Sequence, residues 1–291
     1  MIDRIAAAPI SWGICEVPGW GLQMSPNRIL GEMADLGITK TELGALGWLP
    51  DDVAELRPLL DQFHMSILGG FVPLVLHHGT SHPGSIEAAH AAAKTLSDAG
   101  GQYFVAAVIA RMDSWDRPTL TAAEWTNLFE GIVETEKVAA EYGLTQVVHP
   151  HVNTLIETAD EFERFLDSSS ATFCLDTGHL FIGGADPVAI AEQQGDRVGL
   201  VHIKDVDKEI SDRFRAGEFD WMGAIQQGLF PSAGSGDAPI AATVRTLEQS
   251  GYTGWYVLEQ DVALTDGEPP LGQGPVHGVR TSIEYLKSLA G

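Results

Sequence analysis

Apolar residues in this chain fall into short runs, separated by longer stretches in which apolar and polar positions recur with a helical period. The runs lie at residues 5–10, 39–43, 65–71, 103–107, 146–149, 171–175, 198–203 and 254–258. Continuous short runs of this kind read as strands covered on both faces, the pattern of a parallel sheet wrapped by helices. The stretches between them carry explicit start and stop signals. Ser25-Pro26 sets a capping hydroxyl before a proline at the first helical position, and Gly37 closes that helix. Thr121-Ala122-Ala123-Glu124 and Thr158-Ala159-Asp160-Glu161 are capping boxes. Asp186-Pro187 repeats the cap-plus-proline device, and Gly143 and Gly251 stand where left-handed C-terminal residues belong.

This unbroken alternation predicts one closed (β/α)8 TIM barrel, with residues 1–291 forming a single domain. Such a barrel uses roughly 250 residues, so the length leaves room for insertions. Three segments depart from the rhythm: residues 11–24, 205–237 (with helical pieces around 209–215 and 224–227) and 261–275. Each follows a strand and so belongs to the catalytic face, where long loops form lids and substrate walls. Trp12, Trp20, Phe71 and Trp221 are candidates to stack on an apolar ring face there, although core packing explains any one of them.

Four polar clusters stand where buried runs stop: Val148-His149-Pro150-His151, Leu175-Asp176-Thr177-Gly178-His179, Val201-His202-Ile203-Lys204-Asp205 and Val257-Leu258-Glu259-Gln260-Asp261. In a parallel barrel all strand C-termini converge on one face, so these clusters meet. His149, Asp176, His202 and Glu259 then form a divalent-metal constellation. Mixed imidazole and carboxylate ligation without thiolate suits Mn²⁺, Co²⁺, Fe²⁺ or Zn²⁺, and two imidazoles disfavour Mg²⁺ and Ca²⁺. His149 and His151 compete for one ligand position, since side chains two apart on an extended segment share a face. His149 is preferred because it lies nearer the strand. His179 backs onto the same cavity, or acts as a cap or supporting hydrogen-bond partner.

Composition narrows the function. Hydrophobic content of 44% and charged content of 20% are ordinary for a globular chain. A formal charge of −23, with 17 basic residues against 40 acidic ones, opposes nucleic-acid binding and repels anionic membranes and phosphorylated metabolites. No run approaches the roughly 20 apolar residues of a membrane span. The opening Met1-Ile2-Asp3-Arg4 lacks the features of a secretory signal, and two cysteines make no disulfide framework. A cytoplasmic location is expected, and association with further copies of the chain is left open. Cys174, inside an apolar run, reads as a buried small hydrophobe.

The motif Leu175-Asp176-Thr177-Gly178-His179-Leu180, followed by Gly183-Gly184-Ala185-Asp186-Pro187, resembles the inosose dehydratases of the xylose-isomerase-like barrel superfamily of sugar isomerases and epimerases. So do Gly195-Asp196-Arg197-Val198 and His202-Ile203-Lys204-Asp205-Val206. Pro9-Ile10-Ser11-Trp12-Gly13, Thr41-Glu42-Leu43-Gly44, His149-Pro150-His151 and Gly251-Tyr252-Thr253-Gly254-Trp255 extend the likeness over nearly the whole chain. The resemblance implies one divalent ion, Mn²⁺ or Co²⁺, held by four strand-end residues. In much of the superfamily the fifth-strand ligand is a glutamate, where His149 stands here. The dehydratases also begin Asn-Trp where this chain has Ser11-Trp12.

The chemistry that fits is enolisation of a ketone. An ion bound to a keto oxygen and an adjacent hydroxyl would acidify the α-proton and stabilise an enediolate. His151, Glu42 and His179 are the candidate bases, and Lys204 or a histidine the candidate acid for the departing β-hydroxyl. Bland readings stand beside these: Glu42 as an ion pair closing the barrel, and Lys204 in a salt bridge to Asp176 or Asp205. The expected activity is a metal-dependent lyase acting on a keto-inositol or a similar neutral keto-sugar. The rivals are an isomerase or epimerase on the same site, an endonuclease IV-type nuclease that the charge opposes, and a non-catalytic sugar-binding subunit.

Overall fold

The computed structural model describes residues 1–79, 84–114 and 117–289. In chain order the strands and helices are β1 (Ile5–Ala7), α1 (Pro26–Asp35), β2 (Lys40–Glu42), α2 (Val53–Gln62), β3 (Ser66–Leu74), α3 (Ser85–Asp98), β4 (Tyr103–Val108) and α4 (Ala122–Glu141). They continue as β5 (Thr145–Val148), α5 (Ala159–Ser168), β6 (Phe173–Asp176), α6 (Thr177–Ile182), α7 (Pro187–Gln194), β7 (Val198–Ile203), α8 (Lys208–Arg215), α9 (Trp221–Gln226), α10 (Ile240–Gln249), β8 (Tyr256–Leu258) and α11 (Pro275–Ser288). Each strand pairs in parallel with the next, and β8 returns to β1 to close the barrel.

All eight expected strands are present, β7 with the expected bounds and the others with shifted ends. β1 stops at Ala7 because Pro9, which has no N–H to give a ladder, opens a 3-10 turn through Trp12. β3 runs on to Leu74 alongside β4. The caps fall where the local code places them. Ser25 accepts from Arg28 N–H, both capping boxes close, and Gly143 and Gly251 take φ of +74° and +85°. The short helix α6, starting on the residue after β6, was not anticipated. Asp176 ends the strand and caps this helix at once, its Oδ1 accepting from the N–H groups of Gly178 and His179 at 2.8 Å each.

Alternation along the strands divides the core in two. Outward residues such as Phe104, Val148, Phe173, Leu175 and Ile203 pack under the helices. Inward residues, among them Ala6, Leu68, Val105, Val147, Cys174, Leu200 and Val257, plug the barrel. Cys174 is wholly buried, as expected of a small apolar residue, and burial pushes its thiol up to about 11. Two residues beyond the plug on β5 to β8 the same face is presented again. It carries His149, Asp176, His202 and Glu259 in place of Val147, Cys174, Leu200 and Val257.

A lid covers this polar layer. Trp221, Ile225, Leu229 and Phe230 of the 205–237 insertion pack with Trp20, Val152 and Ile182 in a satellite cluster. Asp205 anchors the insertion by accepting from the N–H groups of Gly234, Gly236 and Ala238. Arg215 of α8 pairs with the buried Glu157 after β5. Among the described residues no helix is long and apolar enough to cross a membrane.

Candidate active site

His202 lies at the centre of the polar layer, level with Asp176 in the β6–β7 register. Its Nε2 faces Glu42 Oε1 at 3.0 Å, and its Nδ1 faces Glu259 Oε2 at 3.2 Å and Asp176 Oδ2 at 3.8 Å. Burial alone would depress its pKa, but Cys174, Glu259 and Glu42 raise it well above the ordinary histidine value. One imidazole is therefore gripped by carboxylates on both sides. Burial likewise opposes ionisation of Asp176 and Glu259, yet both stay below the usual carboxylate range. His149 and Lys204 do this for Asp176, and Lys204 and His202 for Glu259.

His149 completes the group. It is buried, its Nε2 lies 3.4 Å from Asp176 Oδ2, and burial lowers its pKa, keeping the ring neutral. Its Nδ1 is buried with no hydrogen-bond partner. Donor atoms of His149, Asp176, His179 and Glu259 lie within 4.8 Å of one another, as do those of Glu42, His202 and Glu259. The four-residue set has His179 where the sequence nominates His202, and His202 borders that set through its Nδ1, which faces Asp176 and Glu259. An orphaned imidazole nitrogen, two ionised carboxylates and a second imidazole between them fit a divalent ion of the borderline class. Asp176 has Oδ1 committed to the α6 cap, so Oδ2 alone is free for such an ion.

The remaining candidates sit around this group in different ways. Glu42 is buried and engaged with His202, not turned to the mouth. His151 is half-buried and lies tilted against His179, with ring centres 3.7 Å apart and 37° between the planes. Its Nδ1 donates to the Val152 carbonyl at 2.6 Å, which leaves Nε2 as the nitrogen with a lone pair. Burial, His149 and Lys204 push its pKa down to about 3, so the ring is neutral. His179 accepts at Nε2 from the Lys204 ammonium at 3.1 Å. That contact decides its tautomer over the 3.4 Å approach of the Val152 N–H to Nδ1. Burial, His151 and Lys204 hold His179 well below the ordinary value.

Lys204 pairs with Glu259 Oε2 at 3.0 Å and Asp261 Oδ1 at 2.6 Å, neither of them the partner that sequence reading weighed. Burial would lower its pKa, but Asp261, Glu259 and Asp176 raise it above the ordinary lysine value. Asp205, one of the weighed partners, serves the lid anchor instead. Asp261 and Phe230, whose ring lies 4.8 Å from Lys204 Nζ, are site residues the sequence reading did not assign. The signal for Asp261 was present: it follows Glu259 by two residues on an extended segment, so the two share a face. Of the four aromatic candidates, Phe71 and Trp221 border the histidines. Trp12 and Trp20 are buried, with their indole N–H groups on Glu32 and the Val262 carbonyl.

The family model described as xylose isomerase-like TIM barrel matches residues 30–289. An inosose dehydratase of Geobacillus kaustophilus (strain HTA426) is 29% identical over 298 residues, covering 98% of this chain and 94% of that protein. Among solved structures, an L-ribulose 3-epimerase superposes with a TM-score of 0.70 at 15% identity, over 98% of this chain and 94% of that one. The IolI protein, solved with a zinc atom, gives a TM-score of 0.71 at 14% identity over 98% and 97%. At these identities the structural matches speak to the fold.

Proposed function

The chain belongs to the xylose isomerase-like TIM barrel family, and we propose that it is a metal-dependent lyase that dehydrates a keto-inositol or a closely similar neutral keto-sugar. Near full-length similarity to an inosose dehydratase supports the substrate class. The observation that carries the reaction type is a neutral base and a fixed cation one ring apart. His151 has a free Nε2, and the Lys204 ammonium touches the ring that His151 lies against.

In this reading His149, Asp176, His202 and Glu259 hold the ion, Mn²⁺ or Co²⁺ by family resemblance. A divalent ion there supplies Lewis acidity that makes the proton next to a ketone removable. Glu42 orients His202 by accepting from Nε2, so that Nδ1 points to Asp176 and Glu259. His151 takes the α-proton at Nε2 and, as an imidazolium, returns a proton to the departing β-hydroxyl, which leaves as water. Lys204 keeps its own proton, and its fixed positive charge stabilises the negative charge that builds on that oxygen. Phe71 and Trp221 wall the apolar face of the ring, and the lid loops keep bulk water out.

Incubating the metal-replete protein with scyllo-inosose tests the proposal. The expected result is loss of water with the rise of a diketone chromophore. Recovery of an isomer of unchanged formula would identify an isomerase or epimerase. Binding without any conversion would identify a sugar-binding subunit.

A further inference from the structure

The Lys204 side chain is held along its whole length. Thr177 Oγ1 accepts from the Lys204 N–H at 3.0 Å and donates to its carbonyl at 2.8 Å, tying the start of the residue to the β6–α6 junction. The stem then passes Gly178, where a Cβ would lie 2.7 Å from Lys204 Cγ and 2.9 Å from its Cβ. The glycine of Asp176-Thr177-Gly178-His179 is thus the residue that leaves room for this lysine. At the far end three acceptors meet three N–H groups: Asp261 Oδ1 at 2.6 Å, Glu259 Oε2 at 3.0 Å and His179 Nε2 at 3.1 Å. Lys204 is 1% exposed and Asp261 7%.

These three acceptors are not equivalent. Glu259 Oε2 also faces His202 and belongs to the group that fits an ion. His179 is neutral and offers a single lone pair. Among the described residues, Asp261 Oδ1 accepts from Lys204 alone, at the shortest of the three distances. A charge-assisted bond of that length outweighs a neutral one, so Asp261 is the counter-ion that sets where the ammonium rests. Without its charge the ammonium would be held by Glu259 and His179 alone and would lose its shortest contact.

We propose that Asp261 is a positioning residue of this site: it shares the Lys204 ammonium with Glu259 and fixes it at the place where the departing hydroxyl is stabilised. The role given to Lys204 rests on the elimination described above, whereas the hold of Asp261 on Lys204 does not.

The test uses the full chain as Asp261→Asn, Asp261→Glu, Lys204→Met and the Lys204→Met/Asp261→Asn pair, with melting curves confirming the fold of each. The first readout needs no turnover. In [¹⁵N]lysine-labelled protein the Lys204 ammonium should give a slowly exchanging resonance, assigned by its loss in Lys204→Met. That resonance should broaden or vanish in Asp261→Asn and persist in Asp261→Glu. The second readout is turnover of scyllo-inosose at saturating Mn²⁺ or Co²⁺. Asp261→Asn should lower kcat about 10- to 100-fold, the range of a lost charge-assisted hydrogen bond, with KM changed less than about threefold. In the Lys204→Met background the same change should cost less than about twofold, because Asp261 acts through Lys204. An unaltered Lys204 resonance in Asp261→Asn overturns the proposal, as does an undiminished kcat loss in the Lys204→Met background. Failure of the wild type to turn over any keto-polyol would sink the lyase reading, while the resonance still decides the part played by Asp261.

Discussion

Glu42 on β2 and His202 on β7 meet through Oε1 and Nε2 at 3.0 Å, although their strands are not neighbours in the barrel. The contact crosses the interior and turns the other nitrogen of His202 toward Asp176 and Glu259. A group of this kind tunes an imidazole without touching what the imidazole binds. Glu42→Gln keeps the shape and loses the charge, so metal affinity should fall about 10- to 100-fold. Asp176→Asn should lose bound metal and activity while keeping an oxygen for the α6 cap. Asp176→Ala should lose the cap as well, at a further cost of about 0.5–2 kcal/mol. Metal content by elemental analysis, read beside melting curves, checks all three. Wild-type metal content in either Asp176 variant would contradict the ligand assignment.

The two histidines after β5 should separate by readout. His149 is buried against Asp176, whereas His151 is half-buried and has Nδ1 committed to the Val152 carbonyl, leaving Nε2 as its lone-pair nitrogen. His149→Ala is expected to weaken metal binding. His151→Ala should keep metal and lose about 10²–10⁴-fold in kcat, the usual effect of removing a general base. The opposite pattern in metal titrations would exchange their roles.

Cys15, in the loop after β1, provides a pH-dependent check on how that loop packs. Burial raises its thiol to about 12, against a backbone hydrogen bond from Val17 and the pull of Lys204. A raised pKa favours the neutral thiol, so at pH 8 the thiolate fraction is on the order of 10⁻⁴. Iodoacetamide at pH 8 should leave native Cys15 unmodified over a period that labels the urea-unfolded chain completely. Because the unfolded thiol ionises near 9.0, raising the pH beyond that point costs the native state stability. Rapid labelling of the native protein at pH 8 would show the loop packed otherwise.

Charge at the mouth bears on the substrate. Arg111 pairs with Asp113, Arg117 with Glu157 and Glu161, Arg213 with Glu218, and Arg215 with Glu157. Recruiting any of them to a phosphate would take a partner from a carboxylate, although Glu157 has two, in a chain already carrying −23. Keto-inositols and keto-sugars should therefore be turned over with higher kcat/KM than their phosphate esters. Paired kinetics on each sugar and its ester give the answer, and a preference for the ester would refute this prediction.

Much of this was legible in the order of residues. Eight apolar runs, proline and hydroxyl caps, and strand-end polar clusters are local signals, carried within a few residues of the feature they specify. His149, Asp176, His202 and Glu259 could be nominated together because β-strands alternate with period two and barrel strands share a direction. The bounds of β1 and the start of α6 were less legible. They depend on which backbone groups find partners once neighbouring segments arrive, as Asp176 shows by ending a strand and capping a helix.

By itself, then, the sequence determined the architecture and the layer in which its chemistry gathers, since periodicity and chain direction need no knowledge of distant contacts. Tertiary structure decided which polar group faces which. Glu42 lies across the barrel from its imidazole, and Lys204 rests on Asp261 and Glu259 instead of Asp176 or Asp205. Hydrogen bonds and ion pairs act over about 3 Å. Their partners here are separated by 160 and 57 positions along the chain, so only the closed barrel brings them within reach.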